Sequence, residues 1–530
     1  MHLLNPLSLF VLIVTAVLPG FAYSQAQSYP PRTTLINCGS TVGSTINGLN
    51  YLPDENFTSA GSAKTLAVEN LSSPLLATVR SFPLSPGKKL CYVVPTVRSA
   101  RYLVRTTYFY GGVNGERFPS PPVFDQVVDG TLWSVVNTTA DYRNGVASYY
   151  EGVFLSRGKS MSLCLGSNRF TESDPFISGL ELVILADSVY NSTDFSQKGL
   201  SLVARHSFGR NGSSIRYPDD EFDRIWEPFG ESTAVSTMST NNNVSVSGIW
   251  NLPPMKAFDT ELAAGPSGAL ELNWPPVDLP TPSTSYSYYI ALYFAGDQGS
   301  GGGARVFDVS INGVTYYKDL NVTRVGVAVF SSNWRLGGPT SLSLRPATGS
   351  VLPPLINAGE VFTVLNLGGR TLTRDVMALE SIRSSLSNPP LDWRGDPCFP
   401  LQYSWTGVKC SEPNETRVRV ISLNMTSMGL SGTLSPSIAR LTALSDIWLG
   451  NNSFSGLIPD LSSLKLLETL HLEDNNFTGP IPTTLGNIKA LRELFLQNNN
   501  LTGQIPSSLV GRSGLDIRTS GNPLLSPPPP

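Results

Sequence analysis

Apolar residues recur at a fixed spacing through the last quarter of the chain. Four units follow the pattern Leu-x-x-Leu-x-Leu, with related apolar residues in places, and each ends on a fourth apolar residue: Leu430, Phe454, Phe477 and Leu501. These closing residues are 24, 23 and 24 positions apart, which is the period of leucine-rich repeats. A unit of this length cannot bury its apolar side alone, so the pattern predicts a short α/β solenoid of stacked units.

Polar positions repeat with the same period. Asn452, Asn475 and Asn499 stand where a buried amide can bond the backbone of neighbouring turns, and Met428 replaces this asparagine in the first unit. A glycine follows two residues after each closing apolar residue, and Ile-Pro recurs at 458, 481 and 505. We expect LDIRTSGNPLL, a degraded fifth unit, to cap the end of the solenoid.

Residues 33–367 show a different pattern. Short runs of alternating character, such as RYLVRTTYFY and SMSLCLG, are separated by Gly, Pro and Asn at the spacing of β-sandwich strands. This region also repeats itself at offsets between 165 and 185 residues. The similar segments, in the same order, are YLPDENF (51–57) and RYPDDEF (216–222), TYFYGG (107–112) and LYFAGD (292–297), Phe124-Asp125 and Phe307-Asp308, and PFISGLELVIL (175–185) and PLINAGEVFTVL (354–365). A period this long predicts two copies of one β domain.

A helical spacing follows the second copy. Its apolar positions predict a helix from Leu372 to Leu386, with Thr373 as N-cap and Asn388-Pro389 ending it. The next segment, DWRGDPCFPLQYSWTGVKC, contains a close cysteine pair. We expect this segment to cap the start of the solenoid.

The first residues predict secretion. An apolar run from Leu3 to Leu18 precedes Ala22-Tyr23-Ser24, which is typical of a signal peptide over residues 1–24. A membrane anchor is the alternative, but the run is shorter than the ~20 residues a span needs. Asn-x-Ser/Thr acceptors for glycans, about twice as many as composition predicts, agree with an extracellular location. They are Asn56, Asn70, Asn137, Asn191, Asn211, Asn243, Asn321, Asn414, Asn424, Asn451, Asn476 and Asn500.

Five cysteines allow at most two disulfide bonds within the chain. Cys398 and Cys410 are close in sequence, and their bridge would contribute roughly 3 kcal/mol by restricting the unfolded chain. For the other pair we favour Cys91 with Cys164, because both lie in predicted strands. Cys38 is then a buried thiol.

The motifs LINCGS, PDENF, ATVRSFP, PPVFDQVVDG and DPFISGLELVIL resemble the plant malectin-like domain. The segment RDVMALESIRSS…DWRGDPC…YSWTGVKC resembles the helix and cysteine cap that join this domain to leucine-rich repeats. The resemblance covers roughly residues 30–525 in the same order. It implies the ectodomain of a plant cell-surface receptor or receptor-like protein, of a family associated with cell-wall carbohydrate and small secreted peptides. Many members carry a transmembrane helix and a kinase, and neither is found in this sequence.

We therefore expect a mainly β protein, with tandem malectin-like β-sandwiches followed by the short leucine-rich-repeat solenoid. Its expected divisions are the signal peptide (1–24), sandwich 1 (30–190), sandwich 2 (200–368), helix and disulfide cap (370–415), repeats (416–525) and Pro-rich tail (526–530). A tail of this composition is usually a stiff linker, so we expect a membrane span to follow it in a parent protein. We then expect the protein to contact a membrane only through that span, which is absent from this sequence.

Catalysis is poorly supported by the residues. The three histidines lack a neighbouring nucleophile or metal-ligand pattern, and the glycine run Gly299–Gly303 lacks the Lys-Ser/Thr of a phosphate loop. PDDEFD (218–223) could bind Ca²⁺ or supply glycosidase carboxylates, but its copy at 53–57 keeps only Asp54 and Glu55, which favours a solvated turn. We expect no enzyme activity, no cofactor and no metal. A net charge of −3 gives no basis for nucleic-acid binding.

Aromatic residues offer a first candidate binding site, because sugars bind on aromatic rings beside a few hydrogen-bonding groups. Part of this set could equally fill the core, and Tyr110 and Tyr149 are the members we expect to be exposed. The candidates in the first sandwich are Tyr108, Tyr110, Asn114, Phe118, Asp125, Tyr149 and Tyr150.

The concave face of the repeats offers a second candidate. Side chains alternate along a strand, so the residues between the leucines face outward and form one column: Asn424, Trp448, His471 and Phe495. Flanking positions carry Asp446, Glu493, Glu473 and Gln497. Three large rings in register predict a partner-binding surface, with packing on the neighbouring sandwich as the alternative. A glycan on Asn424 would partly block this surface.

The leading hypothesis is a non-catalytic extracellular receptor-like protein that recognises cell-wall carbohydrate or a secreted peptide. A structural or co-receptor adaptor, binding another protein through the repeats, is the alternative. A wall glycosidase is the third hypothesis. The protein is expected to be secreted, or to be a plasma-membrane ectodomain if the chain is truncated.

Overall fold

The computed structural model describes residues 33–230, 235–239, 248–265, 268–280, 286–296, 303–412 and 417–526. The expected signal peptide, the glycan acceptors Asn243 and Asn414, most of the Gly299–Gly303 run and Pro527–Pro530 lie outside the described residues. The structure is mostly β, with 42% strand and 8% helix, which confirms the predicted fold class.

The first sandwich contains thirteen described strands and one short helix, α1 (Thr139–Arg143). The strands are β1 (Thr33–Asn37), β2 (Ser44–Ile46), β3 (Leu49–Pro53), β4 (Ser62–Thr65), β5 (Thr78–Ser81), β6 (Lys89–Pro95), β7 (Arg101–Tyr108), β8 (Phe124–Val128), β9 (Thr131–Val136), β10 (Ser148–Leu155), β11 (Ser160–Gly166), β12 (Phe176–Ile177) and β13 (Gly179–Ile184).

The second sandwich and the segment that follows it contain the next thirteen described strands. The strands are β14 (Lys198–Phe208), β15 (Glu227–Phe229), β16 (Val235–Ser239), β17 (Thr260–Ala264), β18 (Leu270–Asn273), β19 (Ser287–Phe294), β20 (Val306–Ile311), β21 (Val314–Asn321), β22 (Val327–Trp334), β23 (Ser341–Pro346), β24 (Leu355–Ile356), β25 (Ala358–Asn366) and β26 (Arg370–Thr371).

Helix α2 (Thr373–Ser385) precedes the cap and the solenoid. The remaining strands are β27 (Val408–Cys410), β28 (Arg417–Val418), β29 (Val420–Asn424), β30 (Ser431–Thr433), β31 (Asp446–Trp448), β32 (Ser453–Leu457), β33 (Thr469–His471), β34 (Asn476–Pro480), β35 (Glu493–Phe495), β36 (Asn500–Gln504), β37 (Asp516–Arg518) and β38 (Leu524–Ser526). Short 3₁₀ helices occupy Pro74–Leu76, Met255–Phe258, Leu401–Tyr403, Pro436–Arg440 and Thr483–Asn487.

Helix α2 confirms the helical spacing but not its predicted start. Thr373 is the first helical residue, and the N-cap position belongs to Leu372, which has no side chain that could cap. The buried carboxylate of Asp375 lies in the first turn and accepts from the backbone N–H of Val420. A negative charge near a helix N-terminus is favourable, so Asp375 stabilises the start of α2 by its charge and not as a hydrogen-bonding cap.

The two sandwiches share one continuous sheet, in the strand order β2-β3-β1-β13-β7-β10-β14-β25-β19-β22. The junction is the antiparallel pair of β10 and β14, where Gly152 faces Ser201 and Val153 faces Leu200. A Cβ at Gly152 would lie 2.8 Å from the carbonyl oxygen of Leu200, so the close approach requires glycine. Separate four-stranded sheets, β6-β11-β8-β9 and β18-β23-β20-β21, complete the two sandwiches.

The sequence repeat corresponds to equivalent strands. TYFYGG begins at the end of β7, LYFAGD contains the end of β19, and the later similar segments contain β13 and β25. β13 pairs with β7, and β25 pairs with β19, both antiparallel. The same neighbours in both copies agree with a duplicated sandwich.

A buried ion network lies where the sandwiches meet. The guanidinium of Arg105 contacts the carboxylates of Glu151, Glu181 and Asp223 at 2.5–3.0 Å, and all four side chains are almost fully buried. Arg205 contacts Glu151 from the other side at 2.7 Å. Charges taken out of water need such partners, since an unpaired buried charge is strongly unfavourable.

The cap packs directly on the first sandwich. The ammonium group of Lys89 donates to the backbone carbonyls of Asp396 and Phe399, and the phenol of Tyr403 donates to Asp125 Oδ2 over 2.8 Å. Burial lowers the pKa of Lys89 to about 8. The cap therefore joins the sandwich through buried polar contacts as well as apolar packing.

Two disulfide bonds are present, Cys91–Cys164 and Cys398–Cys410, which are the pairings that the sequence favoured. The first joins β6 to β11 in the first sandwich, and the second lies in the cap. Cys38 is a free, fully buried thiol, as expected.

The solenoid consists of two parallel sheets. Strands β29, β31, β33, β35 and β37 form the concave sheet, with β27 pairing antiparallel to β29 at its edge, and β30, β32, β34, β36 and β38 form the second sheet. Each ladder asparagine donates to backbone carbonyls and accepts a backbone N–H from the preceding unit; Asn475, for example, donates to Leu449 O and accepts from Phe454 N, both at 2.9 Å. Asn522 repeats this role, so the degraded fifth unit continues both sheets as a full turn.

Candidate functional site

The concave sheet presents the predicted column of side chains. Asn424 is paired in register with Trp448, Trp448 with His471, and His471 with Phe495. The apolar residues on either side of each column residue are buried in the solenoid core, while the column residues themselves are half-buried or exposed. The strict alternation of a β-strand thus separates core from surface within three residues.

The column extends one unit further than the sequence analysis placed it. Arg518 pairs in register with Phe495, and its guanidinium lies 4.0 Å from the centre of the Phe495 ring. On the other side of that ring, His471 stacks at 4.1 Å with an angle of 15° between the planes. The signal was present in the sequence, because Arg518 follows Phe495 by the repeat period of 23 residues.

Carboxylates flank the rings. Glu493 Oε2 lies 3.0 Å from His471 Nε2, and Glu473 Oε1 lies 3.9 Å from His471 Nδ1. Asp446 borders Trp448, and Asp516 pairs with Arg518 at 2.8 Å. The face therefore carries four carboxylates against the single permanent cation of the column.

Two acceptor atoms beside the column have no partner in the part of the chain that the structure describes. They are Glu473 Oε2 and Gln497 Oε1, both buried from solvent. Gly450 occupies the same place one unit earlier, and a Cβ there would approach Glu473 Oε1 to 2.4 Å. The glycine therefore makes room for the carboxylate of Glu473.

The column leads into a cleft of about 520 Å³ between the repeats, the cap and the first sandwich. Trp448 and Asp446 line it from β31, and Lys409 lines it from β27 of the same sheet. Lys88 lines it from the first sandwich, with its ammonium group 3.7 Å from Asp392 Oδ2. The indole of Trp448 makes no ring stack or cation contact within the described residues. Asn424, a glycan acceptor, also lines the cleft and is exposed.

The aromatic candidates of the first sandwich are mostly core residues. Tyr108 is fully buried and donates to Gln126 Oε1 over 3.0 Å. Tyr110 was expected to be exposed, and this was wrong: it is 1% exposed, and its hydroxyl donates to the backbone carbonyl of Phe118. Tyr108 packs edge-on against Phe176 and Tyr110 packs against it at 52°, because this end of the sandwich buries a cluster of aromatic rings.

The polar candidates of the same set also have internal partners. Asn114 donates to Ser173 Oγ at 2.8 Å, and Asp125 accepts from Tyr403 and from Asn168. The hydroxyl of Tyr150 accepts the backbone N–H of Asn137. These contacts fix the loops and the cap to the first sandwich.

Tyr149 is the exception, with 52% of its surface exposed, as expected. Tyr149 and Tyr150 are successive residues of β10 and point to opposite faces of the sheet. Tyr149 lines a cleft of about 470 Å³ between the sandwiches, together with Arg216, Glu227 and His206. His206 Nδ1 accepts from the indole N–H of Trp274, and burial lowers the pKa of His206 to about 4, so this imidazole is neutral.

The acidic turn at 218–223 is structural, but it is not solvated as expected. Asp220 and Asp223 are buried and paired with Arg224 and Arg105, while Asp219 forms an exposed pair with Lys256 at 2.7 Å. Among the described residues, no group of three His, Cys, Asp or Glu side chains is arranged to hold a metal ion. The ten described glycan acceptors are all exposed.

The regions that match known protein families correspond to the sandwiches, the cap and the repeats. A family model described as "Malectin-like domain" matches residues 36–364, the "Leucine rich repeat N-terminal domain" matches 372–411, and the "Leucine Rich Repeat" matches 466–488 and 490–511. The chain belongs to the plant malectin-like, leucine-rich-repeat receptor-like proteins. These matched domains are ectodomain types without catalytic function.

Two relatives from Arabidopsis thaliana illustrate the similarity. Receptor-like protein kinase At3g21340 is 31% identical over 408 residues, which cover 76% of this chain and 44% of the relative. Probable LRR receptor-like serine/threonine-protein kinase At1g05700 is 32% identical over 431 residues, covering 78% of this chain and 47% of the relative. The chain thus spans about half the length of the relatives it matches.

Solved structures show the fold of the malectin-like part. The extracellular domain of ANXUR1 from Arabidopsis thaliana superposes with a TM-score of 0.52 at 17% identity, covering 63% of this chain and 97% of that one. The complex of the plant peptide RALF23 with FER and LLG2 contains a chain with a TM-score of 0.50 at 16% identity, covering 63% of this chain and 96% of that one. In the described part of the chain, no helix is both long and apolar enough to cross a bilayer.

Proposed function

We propose that this malectin-like receptor ectodomain binds a secreted peptide along the concave face of its repeats. The observation that carries the proposal is Trp448: its half-buried indole lines the cleft, in register with His471 and Phe495, and contacts no other ring or cation among the described residues. An aromatic side chain anchored in a cleft is typical of the few residues that dominate a binding interface.

Charge defines the peptide further. Cationic side chains suit the column, because Glu473 and Glu493 flank its rings and Arg518 already lies over Phe495 as a cation does over a π face. An acidic group of the peptide suits the cleft, whose lining includes Lys409 from β27 of the concave sheet and Lys88 from the first sandwich. The proposed ligand is therefore a basic peptide with one acidic group at the cleft end.

A structural neighbour supports the peptide class. One solved structure with a similar chain is a complex of the plant peptide RALF23 with FER and LLG2. That similarity is limited to the malectin-like fold, so it supports the class of ligand and not the place where it binds. The same description supports a second protein acting as co-receptor in the present case.

Binding of synthetic peptides tests the proposal. A set of basic peptides and their charge-reversed versions is titrated against the secreted, glycosylated ectodomain by calorimetry. We expect the basic set to contain binders, and Trp448→Ala and Phe495→Ala each to weaken them about tenfold or more. Tyr317→Phe, an exposed aromatic change on the second sandwich, serves as the control and should leave affinity unchanged.

Other outcomes decide against the proposal. Equal binding of charge-reversed peptides, or full affinity in Trp448→Ala, would exclude a charge-selective aromatic site on this face. The glycan acceptor is tested separately with Asn424→Gln. If a glycan covers the cleft, this change raises affinity without altering the preference for basic peptides.

The cleft at Tyr149 supports a second candidate function, carbohydrate recognition between the sandwiches. It combines one exposed aromatic ring with the polar groups of Arg216 and Glu227, which is the composition of a sugar site. Neutral wall oligosaccharides that bind the wild type and not Tyr149→Ala would support it. Binding that is insensitive to this change would eliminate it.

A further inference from the structure

Asn424 is the last residue of β29 and stands at the edge of the cleft that contains Trp448. Its backbone N–H donates to the carbonyl of Gly407 in the cap at 2.7 Å. A Cβ at Gly407 would clash with the carbonyl oxygen of Asn424, so the strand end packs closely on the cap. The side chain of Asn424 is nevertheless exposed and lines the cleft. The main chain is therefore fixed while the side-chain amide stays open to solvent.

The amide of Asn424 has its oxygen bound and its nitrogen available. The backbone N–H of Thr426 donates to Asn424 Oδ1 at 3.2 Å, and Thr426 is also the hydroxyl residue of the glycan acceptor sequence Asn424-Met425-Thr426. Asn424 Nδ2 donates to no residue that the structure describes. In contrast, Nδ2 of the acceptor Asn451 donates to Ser427 Oγ at 2.9 Å. The nitrogen that would carry a glycan is therefore unoccupied by protein contacts at Asn424.

The indole of Trp448 is the immediate neighbour of this amide. Asn424 and Trp448 are paired in register on the parallel strands β29 and β31, which places their side chains on one face of the sheet at the strand spacing of about 4.8 Å. On the far side of Trp448, His471 stacks on Phe495. Among the described residues, the indole thus has no ring partner of its own. The acceptor Asn476 differs, because its neighbour in register is Ser455.

We propose that Asn424 carries an N-linked glycan whose first N-acetylglucosamine stacks on the indole of Trp448 and thereby competes with the peptide for the cleft. Attachment replaces one hydrogen of Asn424 Nδ2 with C1 of the sugar, which is transferred from a lipid-linked oligosaccharide diphosphate; the lipid diphosphate and a proton leave. The C–H face of a sugar ring suits the π face of an indole. The cleft, at about 520 Å³, lies within the roughly 300–1,000 Å³ of small-ligand sites.

The glycan then acts as a competitor tethered within the molecule. Because it is covalently attached next to Trp448, its first sugar is present at a high effective concentration. The stacking contact is non-covalent, so a peptide can displace the sugar, but the apparent affinity of the peptide is reduced by the fraction of molecules in which the indole is covered. This competition rests on the proposed peptide site, whereas the stacking of the sugar on Trp448 does not.

A double-mutant cycle on the secreted, glycosylated chain tests the stacking. Mass spectrometry of glycopeptides should first show Asn424 to be occupied. Thr426→Ala removes the acceptor sequence and keeps Asn424; it should lower Tm by about 2 °C in the wild type and leave Tm unchanged in Trp448→Ala. The matched control is Asn476→Gln, which should have the same effect with and without Trp448. An unoccupied Asn424, or an equal effect of Thr426→Ala in both backgrounds, would overturn the stacking.

Calorimetry with the basic peptides tests the competition. Thr426→Ala and Asn424→Gln should each raise the affinity about fivefold, the change expected when one stacking contact no longer has to be displaced. Asn476→Gln should leave it unchanged. A chain whose glycans are trimmed enzymatically to a single N-acetylglucosamine should bind like the wild type, because the competing sugar is kept.

Equal affinity of Thr426→Ala and the wild type would overturn the competition. A rise in affinity that is already complete on trimming would overturn it too, because the outer sugars would then be the obstacle. If no form of the chain binds a basic peptide, the proposed function fails and the competition fails with it. The double-mutant cycle in Tm still decides the stacking in that case, so the two failures are distinguishable.

Discussion

Glu151 Oε1 lies 2.7 Å from Arg205 Nη1, and this buried ion pair joins the first sandwich to the second. The other oxygen of the same carboxylate accepts from Arg105 over 2.8 Å. One glutamate thus neutralises two buried guanidinium groups from different sandwiches. Together with the β10–β14 pairing, it makes the junction a continuous, buried interface.

Removing that charge should destabilise the protein strongly. In Glu151→Gln, two buried arginines lose a shared carboxylate while the side-chain volume is kept. We expect the free energy of unfolding to fall by about 3–5 kcal/mol, because an uncompensated buried charge remains. Urea denaturation followed by tryptophan fluorescence measures the change. Glu271→Gln, which breaks the exposed pair with Arg345, is the control and should cost less than about 1 kcal/mol.

The hydrogen bond from Tyr403 to Asp125 should hold the cap against the first sandwich. Tyr403→Phe keeps the ring that packs near Cys91 and Cys164 and removes only the hydroxyl. We expect a loss of about 1–3 kcal/mol, since a buried carboxylate loses one donor. Thermal denaturation is the measurement, with Tyr317→Phe as control. Unchanged stability would show that this hydrogen bond does not hold the cap against the sandwich.

The asparagine ladder should set the stability of the solenoid. In Asn475→Ala, the N–H of Phe454 loses its partner inside the core, while the carbonyl of Leu449 keeps the amide of Asn452 as a donor. A loss of about 1–3 kcal/mol is expected, because a buried backbone N–H left unpaired is unfavourable. Hydrogen exchange should show faster opening of β33–β35 than of the sandwiches. Gln504→Ala, an exposed amide on β36, should have little effect.

The stability that the Asp129 carboxyl contributes should fall as the pH rises from about 4 to 6. Burial raises its pKa to about 6, so in this range the folded protein binds a proton that the unfolded chain has released. The stabilising contribution is complete below about pH 4 and is lost as the pH passes 6. Asp129→Asn can keep the hydrogen bond from Ser162 and tolerates the left-handed backbone at this position. In urea denaturation, the wild type should lose stability relative to this variant as the pH rises from about 4 to 6; a constant difference between the two would show that Asp129 does not titrate in this range.

Local and periodic features could be predicted from the sequence. The repeat period predicts the two parallel sheets and the column from Asn424 to Phe495, because a fixed spacing brings equivalent residues into register without further information. The similar segments at 107–112 and 292–297 predict two sandwiches, and the two disulfide pairings agree with the structure. Extending the same period to LDIRTSGN would have added Arg518 to the column.

Long-range contacts could not be predicted from local or periodic sequence patterns. Tyr110 and Tyr149 have similar surroundings in sequence, yet one is buried and the other exposed, since only packing between sheets decides which face of a strand is covered. Asp125 meets Tyr403 across 278 residues, and Arg105 meets Asp223 across 118 residues. The sequence by itself determined the repeating units, their internal faces and the extracellular class. Only the tertiary structure decided which polar side chains form hydrogen bonds and ion pairs with one another. These contacts depend on distances between segments that share no sequence pattern.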